Sequence, residues 1–179
     1  MLRVQKVLNE DDVIPVVVLH HLFVAMKLGR HIKGKFKFSQ KSQKRLENKA
    51  EFFNKLSHFY LFQFNHLGYQ RRPFVAPGNW DIFLNVINVE AHRDGINEAK
   101  LVETLYGVRK DDPDRMAYFD HSSFLMWSVL NPLYWLGFLD LIETGDKPIK
   151  LERVYFKSQI WRKCLRLDTD PDLKPHIVQ

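Results

Sequence analysis

The chain has 179 residues, 45% of them hydrophobic and 13% aromatic, enough to bury a core and too apolar for intrinsic disorder. A single cysteine, Cys164, excludes an intrachain disulfide and a cysteine-rich zinc site, and fits a cytoplasmic protein. The net charge of +6 is unevenly placed: residues 27–49 hold nine Lys or Arg against one acid, Glu47, so this block carries +8 and the rest of the chain −2.

Residues 13–28 (VIPVVVLHHLFVAMKL) form the longest apolar stretch. It falls short of the ~18 residues that span a bilayer. His20 and His21 interrupt it, and Glu10, Asp11 and Asp12 precede it where a signal peptide wants basic residues. It therefore reads as a helix buried almost all round. Asp11 or Asp12 caps it, Pro15 sits in its first turn, and Gly29 is the natural C-terminal cap. Lys35, Phe36, Lys37 and Phe38 alternate as a strand with one face on the core and one face charged. Residues 40–49 follow as a short basic helix. In residues 51–69, Phe52, Leu56, Phe59, Tyr60 and Phe64 recur at helical spacing, an aromatic core element closed by Gly68. Residues 70–79 (QRRPFVAPGN) carry two prolines and a glycine and read as a linker.

Asn79 caps a helix over residues 80–92, and Asp94-Gly95 is a turn. Asn97 caps a helix over residues 98–106 that Gly107 ends, and residues 109–115 form a charged loop. Asp120 caps a longer helix to about Leu130, which Asn131-Pro132 bends or breaks. A last turn runs to Leu136 and stops at Gly137. Residues 138–143 and 150–157 are strands about a turn at residues 145–148. Ser158 caps a final helix to about Asp168, before a loosely ordered tail. The expected organisation is a truncated unit plus aromatic helix (1–69), a linker (70–79), a second unit (80–168) and a tail (169–179).

One stretch occurs twice. Residues 19–46 and 130–165 each carry an apolar helical segment ending in Leu-Gly (Leu28-Gly29 and Leu136-Gly137). Each continues through an aromatic strand to a basic octet that opens on Ser-Gln, at Ser39 and at Ser158. Helix, hairpin and trailing basic helix make up the back half of a winged helix. The second half reads helix, helix, helix, strand, strand, helix. Its pattern Leu133-x-x-Leu136-Gly137-Phe138-Leu139-x-x-Ile142-Glu143 resembles the recognition-helix-to-wing junction of the winged helix-turn-helix superfamily. The resemblance covers residues 79–168, with residues 12–49 as a truncated copy that lacks the leading helices. The whole is similar to poorly characterised bacterial and plasmid-borne proteins with tandem degenerate winged helices. The fold this implies is mainly α with small β-hairpins, an α+β class, with one truncated and one complete winged-helix unit around an aromatic core.

Catalytic and metal signatures are missing. His20 and His21 are adjacent on a helix and point about 100° apart, so they do not share an ion. His58 and His66 lie two turns apart along one expected helix, too far to chelate together. There is no phosphate-cradling glycine loop, no Gly-x-Ser-x-Gly elbow and no HExxH. The acidic pairs sit in caps, a charged loop and the tail. No metal, cofactor or enzymatic activity is expected. The basic block remains, and such a block draws in phosphate backbones. The alternatives are an acidic protein partner and a plain solvated face. The expected third helix of the second unit (Phe124, Leu125, Met126, Trp127, Val129, Leu130) has no Arg or Lys to reach guanine edges. It reads as a buried or interface helix. Phosphate contact therefore falls to the wings and trailing helices: Lys27, Arg30, Lys33, Lys35, Lys37, Lys41, Lys44 and Arg45, with His31 beside them, then Arg153, Lys157, Arg162 and Lys163, with Arg166 beyond. The expected function is that of a non-enzymatic, DNA-associated or regulatory protein without membrane attachment. The rival is a protein-interaction module, self-association included; exposed Trp80, Trp127 and Trp135 would favour it.

Overall fold

The computed structural model describes residues 13–69, 74–91, 94–145 and 152–170. The class is α+β, and the chain divides into a first unit, residues 1–64, and a second, residues 65–179. Among the described residues no helix is long and apolar enough to cross a membrane.

In the first unit, helix α1 (Ile14–Ala25) carries Pro15 in its first turn, where a missing N–H loses no intrahelical bond. Val13 precedes it without a side-chain cap; Asp11 and Asp12, the expected caps, lie outside the described residues. The helix is not buried all round. Val18 and Leu22, one turn apart, are buried, whereas Ile14, Val16, Leu19 and Val24 are exposed. Nor does Gly29 cap it. Lys27 takes the left-handed φ of 54°, its N–H donates to the Val24 carbonyl, and the Leu28 N–H donates to the Phe23 carbonyl, both at 2.9 Å. This pair of bonds is a Schellman cap, completed before the glycine is reached. Gly29 opens strand β1 (Gly29–Ile32) instead. A Cβ there would sit 2.4 Å from the Lys37 carbonyl oxygen and 2.7 Å from the Phe36 ring, so close approach to strand β2 (Lys35–Phe38) explains the glycine. The two strands join through Lys33 (φ 51°) and Gly34 (φ 72°), both left-handed as a two-residue type I′ hairpin requires.

Helix α2 (Gln40–Glu47) starts at Ser39, whose Oγ accepts from the Ser42 N–H at 3.1 Å. Helix α3 (Lys49–Phe62) starts at Asn48, whose side chain accepts from the Glu51 N–H at 3.2 Å, and buries Leu56, Tyr60 and Leu61. It stops at Phe62, well before Gly68, because Gln63 and Phe64 both turn their N–H groups back to the Phe59 carbonyl. His58 and His66 therefore do not share a helix; His66 begins a separate 3-10 turn (His66–Tyr69).

In the second unit, Asn79 caps helix α4 (Trp80–Glu90) by accepting from the Ile82 N–H at 3.0 Å. Strand β3 (Ile96–Asn97) follows, too short for any alternation to reveal it in the sequence. Asn97 caps helix α5 (Glu98–Tyr106), which Gly107 ends at φ 68°. Helix α6 (Arg115–Leu125) is capped by Asp114, which accepts from Met116 and Ala117 at 3.1 Å each; Asp120 lies inside the helix. Of the bend or break expected at Asn131-Pro132, the break does not occur. A π turn (Met126–Leu130) leads straight into helix α7 (Asn131–Trp135), the Asn131 N–H reaching back to the Met126 carbonyl. The widened turn puts Pro132 in a first turn, where it needs no donor. Strands β4 (Leu139–Thr144) and β5 (Glu152–Lys157) complete an antiparallel sheet of order β3-β5-β4. Helix α8 (Gln159–Cys164) starts at the Ser158 cap and ends sooner than expected. Of the expected turn at residues 145–148, positions 146–148 lie outside the described residues, as do linker positions 70–73 and tail positions 171–179. Tail residues 169 and 170 are docked: the Thr169 N–H donates to Asn85 Oδ1 at 3.1 Å.

The duplicated stretch has one backbone scheme in both units. After α7, the Gly137 N–H donates to Tyr134 and the Phe138 N–H to Leu133, the same Schellman pair as at Lys27 and Leu28. The Ser39 N–H closes on the Leu28 carbonyl at 3.0 Å, and the Ser158 N–H on the Phe138 carbonyl at 3.1 Å. The equivalences are thus Lys27 with Gly137, Leu28 with Phe138 and Ser39 with Ser158. The two Leu-Gly pairs are not equivalent, and the repeat holds with that register corrected.

Candidate nucleic-acid interface

Register sets the first cluster of the first unit. Arg30 stands opposite Lys37, and Ile32 opposite Lys35, so three cations share one face of the hairpin. Gly29 opposite Phe38 and His31 opposite Phe36 form the other face. That second face turns to α1: the Phe23 ring centroid lies 5.2 Å from Phe38 and 6.3 Å from Phe36. Arg30, Lys35 and Lys37 therefore point away from α1, as the alternation of Lys35–Phe38 predicts. Lys33 is exposed in the turn and Lys27 at the helix end. None of these five cations has an acidic partner within 4.0 Å among the described residues.

His20 enters the same region by a route the sequence did not suggest. Its Nε2 lies 2.5 Å from Nε2 of His31, on the hairpin, and its ring stands 5.5 Å from Phe36. His31 comes from a different element, whereas the ring of the neighbouring His21 stands 5.9 Å from that of His20. Among the described residues no group of three or more His, Cys, Asp or Glu could hold a metal ion.

The second cluster lies on α2. Lys41, Lys44 and Arg45 are three and four residues apart and share one side of the helix. With Lys55 of α3 they rim a pocket of about 350 Å³. Its floor is Met26, Leu28 and Phe52, and Asn48 and Glu51 complete the wall. Glu51 is neutralised locally: Lys55, at 2.5 Å, holds its carboxyl below the usual carboxylate range. Lys41 and Lys44 have no acidic partner within 4.0 Å among the described residues.

The cations of the second unit are placed differently. Arg153 stands opposite Glu143 in the β4–β5 ladder, and its Nε donates to that carboxylate at 2.9 Å. Its Nη1 also reaches Met126 Sδ at 3.2 Å. Lys157 donates from Nζ to the Asn88 carbonyl at 2.6 Å and to Asn88 Oδ1 at 3.2 Å, and burial lowers its pKa. Asn88 is itself buried and ties four segments together. Its Oδ1 accepts from Trp161 Nε1 at 3.1 Å, and its amide donates to Thr169 and Asp170 at 3.0 Å each. Arg162 and Lys163 are exposed in the last turn of α8, and Arg166 folds back onto the Arg162 and Leu165 carbonyls.

Beside this hairpin, Glu98 accepts from the Ser122 hydroxyl, and burial raises its carboxyl above the ordinary 4.5 although Arg153 pulls the other way. Burial pushes the Tyr155 phenol up to about 12, and its hydroxyl has no hydrogen-bond partner among the described residues. Sequence reasoning missed the Asn88 node, Glu98, and the contribution of α3 to the pocket. The helix expected to be apolar is largely buried, with Phe124, Leu125, Val129 and Leu130 in the core. Trp80, Trp127 and Trp135 are half-buried.

The two copies of the scheme fall in two regions that known proteins share. The N-terminal domain of the y4jL family matches residues 1–51, and its C-terminal domain matches residues 70–159. The chain belongs to the y4jL family. An uncharacterised y4jL protein of Sinorhizobium fredii is 32% identical over 104 residues, which cover 58% of this chain and 47% of that protein. The chain thus spans about half the length of the curated relative it matches. No solved structure matches it. The y4jL N-terminal domain contains the hairpin and α2 with all eight expected cations of the first unit; the C-terminal domain contains Arg153 and Lys157, whereas Arg162 and Lys163 lie beyond it.

Proposed function

We propose that the chain is a non-enzymatic, nucleic-acid-associated protein, DNA-binding or regulatory, built on one truncated and one complete winged helix. The order of the second unit supports the fold reading: helix, strand, helix, helix, then a two-stranded wing whose return strand lies between β3 and β4. One observation carries the functional reading. Arg30, Lys35 and Lys37 line the hairpin face turned away from α1, with no acidic partner among the described residues. A small surface of that kind holds phosphates without reading bases. The test is binding of a mixed-sequence duplex across a salt series. Six contacts from Arg30, Lys35, Lys37, Lys41, Lys44 and Arg45 give a log–log salt slope of about −5, so affinity falls about 10³-fold between 50 and 200 mM. Absence of binding at 50 mM contradicts the reading.

A second reading has its own observation. Ile14, Val16, Leu19 and Val24 leave α1 with an exposed apolar side, which suits a protein partner or a second copy of the chain. Sedimentation of the wild type against Val16→Lys distinguishes it: a dimer that the lysine dissolves supports self-association, and a monomer in both removes it.

A further inference from the structure

The pocket between α2 and α3 has a composition that duplex phosphates alone do not require. Phosphates need cations, and Lys41, Lys44 and Arg45 supply them on one rim. They gain nothing from a floor of Met26, Leu28 and Phe52, of which Leu28 is fully buried and Phe52 half-buried. At about 350 Å³ the cavity falls in the range of small-ligand sites. An aromatic ring in an apolar floor, ringed by cations whose only acid is already paired with Lys55, fits a flat apolar group flanked by negative charge. We propose that this pocket seats one unpaired nucleobase of a single-stranded segment, stacked on Phe52, with its neighbouring phosphates on Lys41, Lys44 and Arg45. The assignment rests on the nucleic-acid reading and adds a substrate preference: ends, overhangs or opened duplex above closed duplex. Base stacking on an aromatic side chain is sequence-tolerant, and its loss costs on the order of tenfold or more in affinity.

The test compares a blunt duplex with the same duplex carrying a short overhang that contains 2-aminopurine. The proteins are the wild type, Phe52→Leu, and Lys35→Ala with Lys37→Ala. Leucine keeps the apolar volume of the floor and removes the aromatic face, and a thermal melt checks that the variant folds. In the wild type the overhang duplex binds about tenfold more tightly than the blunt one, and 2-aminopurine emission changes on binding. Phe52→Leu removes that preference while blunt-duplex affinity stays unchanged. The hairpin variant weakens both duplexes equally. If the blunt duplex binds and the overhang adds neither affinity nor an emission change, the pocket assignment is overturned and the nucleic-acid reading stands. If neither duplex binds at 50 mM salt, both fall. If an acidic peptide containing phenylalanine binds in a Phe52-dependent way and the overhang does not, the pocket is a protein-docking site and the assignment is overturned.

Discussion

In the β1–β2 hairpin Arg30 stands opposite Lys37; in the β4–β5 hairpin Arg153 stands opposite Glu143. The helix end before each hairpin and the serine cap after it are made by the same backbone bonds. The side chains diverge. In the first hairpin two cations face each other across the ladder, a pairing that is unfavourable until something negative covers it. In the second, the guanidinium lies on a carboxylate and Lys157 is drawn onto buried Asn88. On the function proposed above, the first copy is the one that meets a polyanion. The second commits Arg153 to Glu143 within its own ladder and Lys157 to Asn88 of α4, while Arg162 and Lys163 stay exposed. A shared scaffold does not fix the surface chemistry of its copies.

The largest effect that would sharpen this contrast is on stability. Asn88→Ala removes the acceptor of buried Trp161 Nε1 and the weaker of the two acceptors of Lys157, whose bond to the residue-88 carbonyl remains, and is expected to lower unfolding free energy by about 2 kcal/mol. Urea titration checks it. A loss below about 1 kcal/mol would mean that the Asn88 side chain does not hold α4, α8 and residues 169–170 together. Next, Gly29→Ala places a methyl against the Lys37 carbonyl and the Phe36 ring, and is expected to destabilise the first hairpin by about 2 kcal/mol. A melting curve that matches the wild type would show that the strands tolerate wider spacing.

A smaller, pH-dependent effect comes from Glu98. Its folded pKa is raised above 4.5, so its favourable contribution is fully present below that value and is lost as pH rises through the folded pKa. Glu98→Gln should therefore gain on the wild type between pH 4 and pH 7, by less than about 1 kcal/mol because the side chain is partly exposed. Unfolding midpoints of both proteins at the two pH values measure it, and an equal difference at each would contradict the raised pKa.

What was legible in the sequence follows the range of the interactions. Ser39, Asn79, Asn97 and Ser158 cap helices through bonds two or three residues away, so their pattern is local. The alternation at Lys35–Phe38 gave the charged and apolar faces for the same reason. Gly29 misled because Lys27 accepts the left-handed conformation, and the helix closes before the glycine. Asp120 misled because Asp114, six residues earlier, already caps the same helix and leaves Asp120 inside it. Pro132 misled because a π turn can absorb it, and nothing in a single sequence announces that turn. The Asn88 node was invisible, since its partners stand 69 to 82 residues away. So was the fate of Arg153 and Lys157: composition gives the number of cations and not their partners. The pocket at Phe52 needed α3 to fold back beside α2, which periodicity alone does not report.

The most direct test of the central claim is a salt-dependent anisotropy titration of a mixed-sequence duplex with three proteins: the wild type, Lys35→Ala/Lys37→Ala/Lys44→Ala, and Arg153→Ala/Lys157→Ala. The account predicts that the first-unit variant lowers the magnitude of the salt slope by about 3 and loses most of the affinity at 50 mM. The second-unit variant keeps the wild-type slope, measured at a temperature where it remains folded. Equal loss in both variants, or loss only in the second, would contradict the division of labour between the two hairpins.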